Sequence, residues 1–144
     1  MDVNCEMIFS ESRQSCLVAA CLAVTAATVA SAANDGYFGD RQSQRGESLY
    51  QAHCSGCHGD ELQGKSAVSL VGEGFLARWS HEEHSVDDLL YIVRTQMPYG
   101  ESNKLPKSEY LDIVTFILKA NRFPGGGEDL PLDSKVLSAK KLKR

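Results

Sequence analysis

The chain of 144 residues lacks any apolar run of 18 or more residues uninterrupted by polar ones, so a membrane-crossing helix has weak support. It also lacks an excess of positive charge. Fifteen Lys and Arg stand against 19 Asp and Glu, a net charge of −4, which argues against a generalised nucleic-acid binder. There are no internal repeats. No segment alternates apolar and polar residues with period two, which argues against half-buried strands. Hydrophobic residues at 42% and charged residues at 24% are ordinary globular usage, which excludes wholesale disorder, collagen and coiled coil. Five cysteines is an odd number and describes no disulfide framework by itself.

The positions of those cysteines are more informative than their number. Residues Cys16 to Ala30 are apolar and alanine-rich, about the length of a signal-peptide hydrophobic region. Ala30-Ser31-Ala32-Ala33 follows with small residues of the kind found at a cleavage site. We read residues 1–33 as an export signal that is cleaved, which implies a periplasmic protein without stable membrane insertion. A retained anchor is the alternative. Asp2, Glu6 and Glu11 outnumber Arg13 upstream of the run, contrary to the positive start a signal prefers. Starting at Met7 would remove two of those acids. Cleavage removes Cys5, Cys16 and Cys21 and leaves Cys54 and Cys57. These are too close in sequence for a disulfide between them to constrain much.

Residues 54–58 read Cys54-Ser55-Gly56-Cys57-His58, the C-x-x-C-H pattern of covalent c-type haem attachment. Residues i and i+3 lie on one face of a helical turn, so two thiols can add to the two vinyl groups of one porphyrin. His58 then lies over the iron as a ligand. A thioredoxin-like dithiol would sit after a strand in a βαβ pattern, which is absent. A zinc site would want further ligands at short spacing, and no second cysteine pair survives cleavage.

An iron that only carries electrons usually has a sixth protein ligand, and His/Met ligation raises its potential. Met97 is the only methionine after the signal. It follows the expected second helix, lies in a loop, and precedes Pro98, which stiffens that loop. It is therefore the candidate, with core filler the alternative. His53 is too near Cys54 to reach the far face of the ring. His81 and His84 fall in a charged stretch that reads as solvated loop.

The sequence predicts an all-α fold. Helices are expected from Gln42 to about Ser55, with Leu49 and Ala52 on an inner stripe, from Val86 to Arg94, and from Lys107 to Ala120. A short helix is expected around Gly74 to Trp79. Ser85 with Asp88 three residues on marks a helix start. The stretch from Gly59 to Gly72 is a glycine-rich loop suited to wrap a flat ligand. Residues 34–131 are read as the domain and residues 132–144 as a basic tail. Lys135 to Arg144 contains five bases and no acids. It is expected to be a solvated, frayed terminus, with a docking arm for an acidic partner as the alternative.

On these residues the chain resembles a class I c-type cytochrome of the small monohaem bacterial kind, over about residues 42 to 131. The likeness rests on Gly46 and Tyr50, Cys54-Ser55-Gly56-Cys57-His58-Gly59, Leu70-Val71-Gly72-Glu73-Gly74-Phe75, Trp79, Met97-Pro98-Tyr99-Gly100, and Tyr110, Ile113 and Phe116. It implies a cytochrome c fold of three main helices, short helices and loops wrapped around one haem c. Cys54, Cys57, His58, Met97, Val68 and Trp79 would bind it, and the iron ligands would be His58 and Met97. It also implies that Gly46 and Tyr50 pack against Phe116. Family members often have a proline where this chain has Val68, and its backbone carbonyl orients the ligating histidine. Val68 can supply the same acceptor. The resemblance implies an electron carrier rather than an enzyme, expected to be a monomer. Its partners would be redox proteins, with a dehydrogenase as donor and an oxidase or another cytochrome as acceptor. The stretch from Asp112 to Leu130 is similar to cytochromes that accept electrons from quinoprotein alcohol dehydrogenases. The rival is a haem enzyme or gas sensor with an open sixth position.

Overall fold

The computed structural model describes residues 36–144, and the expected export signal lies outside the described residues. Six helices follow in order: α1 (Asp40–His53), α2 (Ser55–His58), α3 (Glu73–Trp79), α4 (Val86–Gln96), α5 (Lys107–Ala120) and α6 (Ser134–Ala139). No strand occurs among the described residues, whose one isolated antiparallel bridge pairs Ser85 with Lys141.

The scaffold is the crossing of α1 on α5. Gly46 makes it possible, because a methyl group there would lie 1.9 Å from the Asp112 carbonyl oxygen. The two backbones touch where only hydrogen fits. The buried face of α1 is therefore Gln42, Ser43, Gly46 and Tyr50. This corrects the expected inner stripe: Leu49 is half-buried and Ala52 is exposed, because the glycine face is the one that meets α5. Tyr50 packs on Phe116 with ring centroids 5.3 Å apart, the pair that the family resemblance implied. At one edge of the crossing Arg45 bonds both Asp112 and Asp129. The side-chain amide of Gln42 pairs with both backbone groups of Leu130 at 3.2 and 2.8 Å. It ties the chain after α5 back onto α1.

The expected first helix is split at Cys54, whose backbone (φ −125°, ψ −31°) leaves the helical region. The Ser85 and Asp88 side chains cap α4 reciprocally, satisfying donors that the first turn leaves open. This helix runs two residues beyond Arg94 and stops at Met97, which is extended. A residue before proline is disfavoured in the α region.

The tail departs most from expectation. The tail is anchored by two buried side chains rather than frayed, although most of its surface is exposed. Leu137 and Leu142 are both fully buried, and α6 lies on α4. The Leu142 amide donates to the His84 carbonyl at 2.8 Å. The Tyr37 hydroxyl bonds the carbonyls of Lys141 and Lys143, while its ring packs edge-on against Phe123. The basic composition concealed two leucines, at positions 137 and 142, that face inward and cover the start of α4.

Candidate functional site

α2 is only four residues long, and the loop after it holds it in place. The Cys57 carbonyl accepts from the Ser66 and Ala67 amides at 3.1 and 3.0 Å, and the His58 carbonyl accepts from Gly64 at 2.7 Å. Tyr50, buried in α1, donates its hydroxyl to the Gly59 carbonyl at 2.6 Å. Burial pushes that phenol up to about 12. The loop's far end is fixed by Asn121, at the end of α5. Its side-chain nitrogen donates to the Leu70 carbonyl at 2.8 Å and its oxygen accepts from the Gly72 amide at 3.1 Å.

All six candidate residues, Cys54, Cys57, His58, Val68, Trp79 and Met97, line one cavity of about 800 Å³. His58 is buried, and its Nδ1 lies 2.8 Å from the Val68 carbonyl oxygen. A carbonyl can only accept, so Nδ1 carries the proton and Nε2 keeps its lone pair for a ligand bond. The Val68 side chain is exposed, so its part is played by the backbone, as anticipated. Burial first, then neighbouring Cys57, pushes the Cys54 thiol up to about 11.

Met97 lies across the sequence from α2 but on the same cavity. Its amide is bonded to the Val93 carbonyl at 3.1 Å. Its carbonyl accepts from the Tyr110 hydroxyl at 2.9 Å. The backbone of Met97 is thus held from both α4 and α5. From the sequence, Tyr110 counted only among the residues that carry the family resemblance, and Asn121 had no assigned part. Neither residue type at these positions signals its bond, because each partner is a carbonyl or amide remote in sequence.

The remaining wall is largely apolar, with Phe75, Leu89, Ile92, Val93, Ile113 and Ile117 among its residues, and Arg78 and Gln96 are polar members of it. Left empty, a space of this size inside so small a domain would forfeit dispersion contacts on every side. A flat apolar macrocycle fits it, with two thiols, one correctly tautomerised imidazole and a thioether at the wall. The alternatives fit less well. Among the described residues no group of three or more His, Cys, Asp or Glu converges to hold a metal ion, so a zinc site has no ligand set. A thioredoxin-like dithiol has no strand to follow among the described residues. His84 is half-buried against Trp79, with ring centroids 5.2 Å apart, rather than solvated as expected. Its packing under the tail explains the difference.

Residues 41–117 match the family described as cytochrome C oxidase, cbb3-type, subunit III. The chain is also similar to cytochrome c-551 of Bacillus subtilis (strain 168), at 36% identity over 58 residues. That alignment covers 40% of this chain and 48% of the other, so the chain spans about half the length of this curated relative. No solved structure matches the chain.

Proposed function

The chain belongs to the c-type cytochrome family whose model is described as cytochrome C oxidase, cbb3-type, subunit III, and from that membership we propose a periplasmic electron carrier with His58 and Met97 as axial ligands. As a small class I c-type cytochrome it carries covalent haem c, with Cys54 and Cys57 supplying the thioether links. The observation that carries the proposal is the convergence of His58 and Met97 on the wall of one apolar cavity.

Bound haem supplies a one-electron Fe(III)/Fe(II) couple, whose potential depends on axial ligands, burial and hydrogen bonds. Cys54 and Cys57 fix the ring to α2, so its position follows the short helix and the loop bonded to it. The Val68 carbonyl fixes the tautomer and plane of His58 and increases its basicity as a ligand. Met97 offers a soft sulfur on a backbone restrained from two helices. A group held by both His58 and Met97 would have no position left for oxygen chemistry, which supports an electron carrier rather than an enzyme. The largely apolar wall would exclude water from it. Val68 and Tyr99 line the cavity and are also exposed, at 73% and 94%, so this opening suits a small, transient contact with a redox protein. A quinoprotein dehydrogenase as donor and an oxidase or second cytochrome as acceptor match that role. The carrier acts as a monomer.

The test is the sixth ligand. The ferric protein is expected to show the weak near-infrared sulfur-to-iron band. Met97→Ala is expected to lose that band, lower the potential and bind carbon monoxide, with haem still attached in a denaturing gel. Met97→His is expected to lower the potential while keeping six ligands. A wild type without the band that binds carbon monoxide readily would replace this reading with an open-site haem enzyme or sensor.

A further inference from the structure

Basic residues gather around Gly36 and Tyr37. Lys140 Nζ donates to the Gly36 carbonyl at 2.6 Å. The neighbouring Tyr37 hydroxyl joins the carbonyls of Lys141 and Lys143, and the Tyr37 amide donates to Pro124 at 2.8 Å. Arg144 reaches the Asn121 carbonyl at 3.2 Å, next to the exposed Arg122. Arg122, Lys140, Lys141, Lys143 and Arg144 thus occupy one corner of the fold. Among the described residues carboxylates also face it: Glu82 pairs with Lys143, and Asp88 attracts Lys141 from its cap on Ser85. Arg122 and Arg144 form no ion pair with a carboxylate among the described residues.

The rest of the domain has the opposite sign. Residues 34–134 carry nine bases and 16 acids, whereas residues 135–144 carry five bases and none.

We propose that the corner formed by Arg122 and residues 140–144 adsorbs to an anionic lipid surface. Each Lys or Arg near such a surface attracts it by an amount that salt screens within a Debye length. The acidic remainder of the domain is repelled, so adsorption also orients the molecule. The backbone of the corner is already fixed by Tyr37, His84 and Asn121, so contact orders side chains only.

The experiment uses the haem-loaded protein from Asn34 onward, so that the apolar run takes no part. Residues Ala32–Arg144 form a compact unit by themselves. Sedimentation with phosphatidylcholine vesicles, with and without phosphatidylglycerol, reads adsorption independently of any redox role. Binding is expected only to the anionic vesicles and is expected to vanish at high salt. Lys141→Gln with Arg144→Gln is expected to weaken it about fivefold per charge removed, with an unchanged haem spectrum and melting temperature. Lys65→Gln, elsewhere on the surface, is expected to change nothing beyond its small share of net charge. Equal binding to both vesicle types, or wild-type binding by the double variant, overturns the proposal. If the double variant binds vesicles normally but accepts electrons more slowly from a soluble donor at low salt, the corner is a protein-docking site and the lipid proposal falls.

Discussion

Replacing Gly46 with alanine tests the backbone contact on which the site is built. The added methyl would lie 1.9 Å from the Asp112 carbonyl oxygen and 2.5 Å from its carbonyl carbon. Both atoms belong to the middle of α5 and cannot rotate away. Relief requires α1 and α5 to part by roughly 1.5–2 Å, since non-bonded heavy atoms prefer about 3.5–4.0 Å. That movement loosens Tyr50 from Phe116 and the Gln42 amide from Leu130. Overpacking of a core costs about 1–3 kcal/mol, and a backbone-on-backbone clash belongs at the upper end. Alanine regains about 0.5–1 kcal/mol over glycine inside a helix. The net loss is therefore about 2 kcal/mol, a fall of roughly 10 °C in melting temperature for a domain of this size. Far-ultraviolet circular dichroism of the ferric protein measures it. Gly56→Ala is the control, because nothing lies within 4 Å of a methyl there, and its melting temperature should hold or rise. A Gly46→Ala protein that melts with the wild type would refute the close crossing.

Three further outcomes follow from named contacts. Leu142→Ala removes a fully buried side chain and should cost about 2–5 kcal/mol in urea unfolding; an unchanged midpoint would return the tail to a frayed end. Tyr110→Phe removes the donor to the Met97 carbonyl, worth about 1 kcal/mol, so imidazole should displace the native sixth ligand from ferric iron about fivefold more readily. Equal imidazole affinity would show that Tyr110 does not restrain Met97. Asp88 is held below the usual carboxylate range, chiefly by its hydrogen bond with the Ser85 side chain. Its folded pKa is depressed, so its stabilisation is present above the unfolded value of about 3.9 and is lost as pH falls through the folded value. Asp88→Ala should cost about 0.5–1 kcal/mol at neutral pH, and the difference from wild type should vanish in acid. A difference that persists at low pH would contradict the charged cap.

The chemistry-bearing residues were legible because their signals are local. The two thiols and the histidine occupy five consecutive positions, and Met97 is the one methionine among the described residues. The helix from Lys107 to Ala120 was legible because its apolar positions follow one period. The supports of the site were not legible in this way. Asn121 lies 51 residues from Leu70, and Tyr110 lies 13 from Met97; both bonds join side chains to backbone groups that no pattern marks. The inner face of α1 was misassigned because its contact is made by a glycine, which carries no hydrophobic signal. The tail was misread for a similar reason. Two leucines among five bases are too few to form a stripe, yet both are fully buried.

The clasp between Tyr37 and the tail also sets a schedule. Leu142 lies 84 residues after His58 in the chain. Until that last segment follows, the start of α4 has no cover over it and Tyr37 has no carbonyls to bond. The domain cannot finish folding while the thiols of Cys54 and Cys57 are already out. The order of emergence therefore leaves the attachment motif accessible to haem in an open chain, and closes the fold over it afterwards.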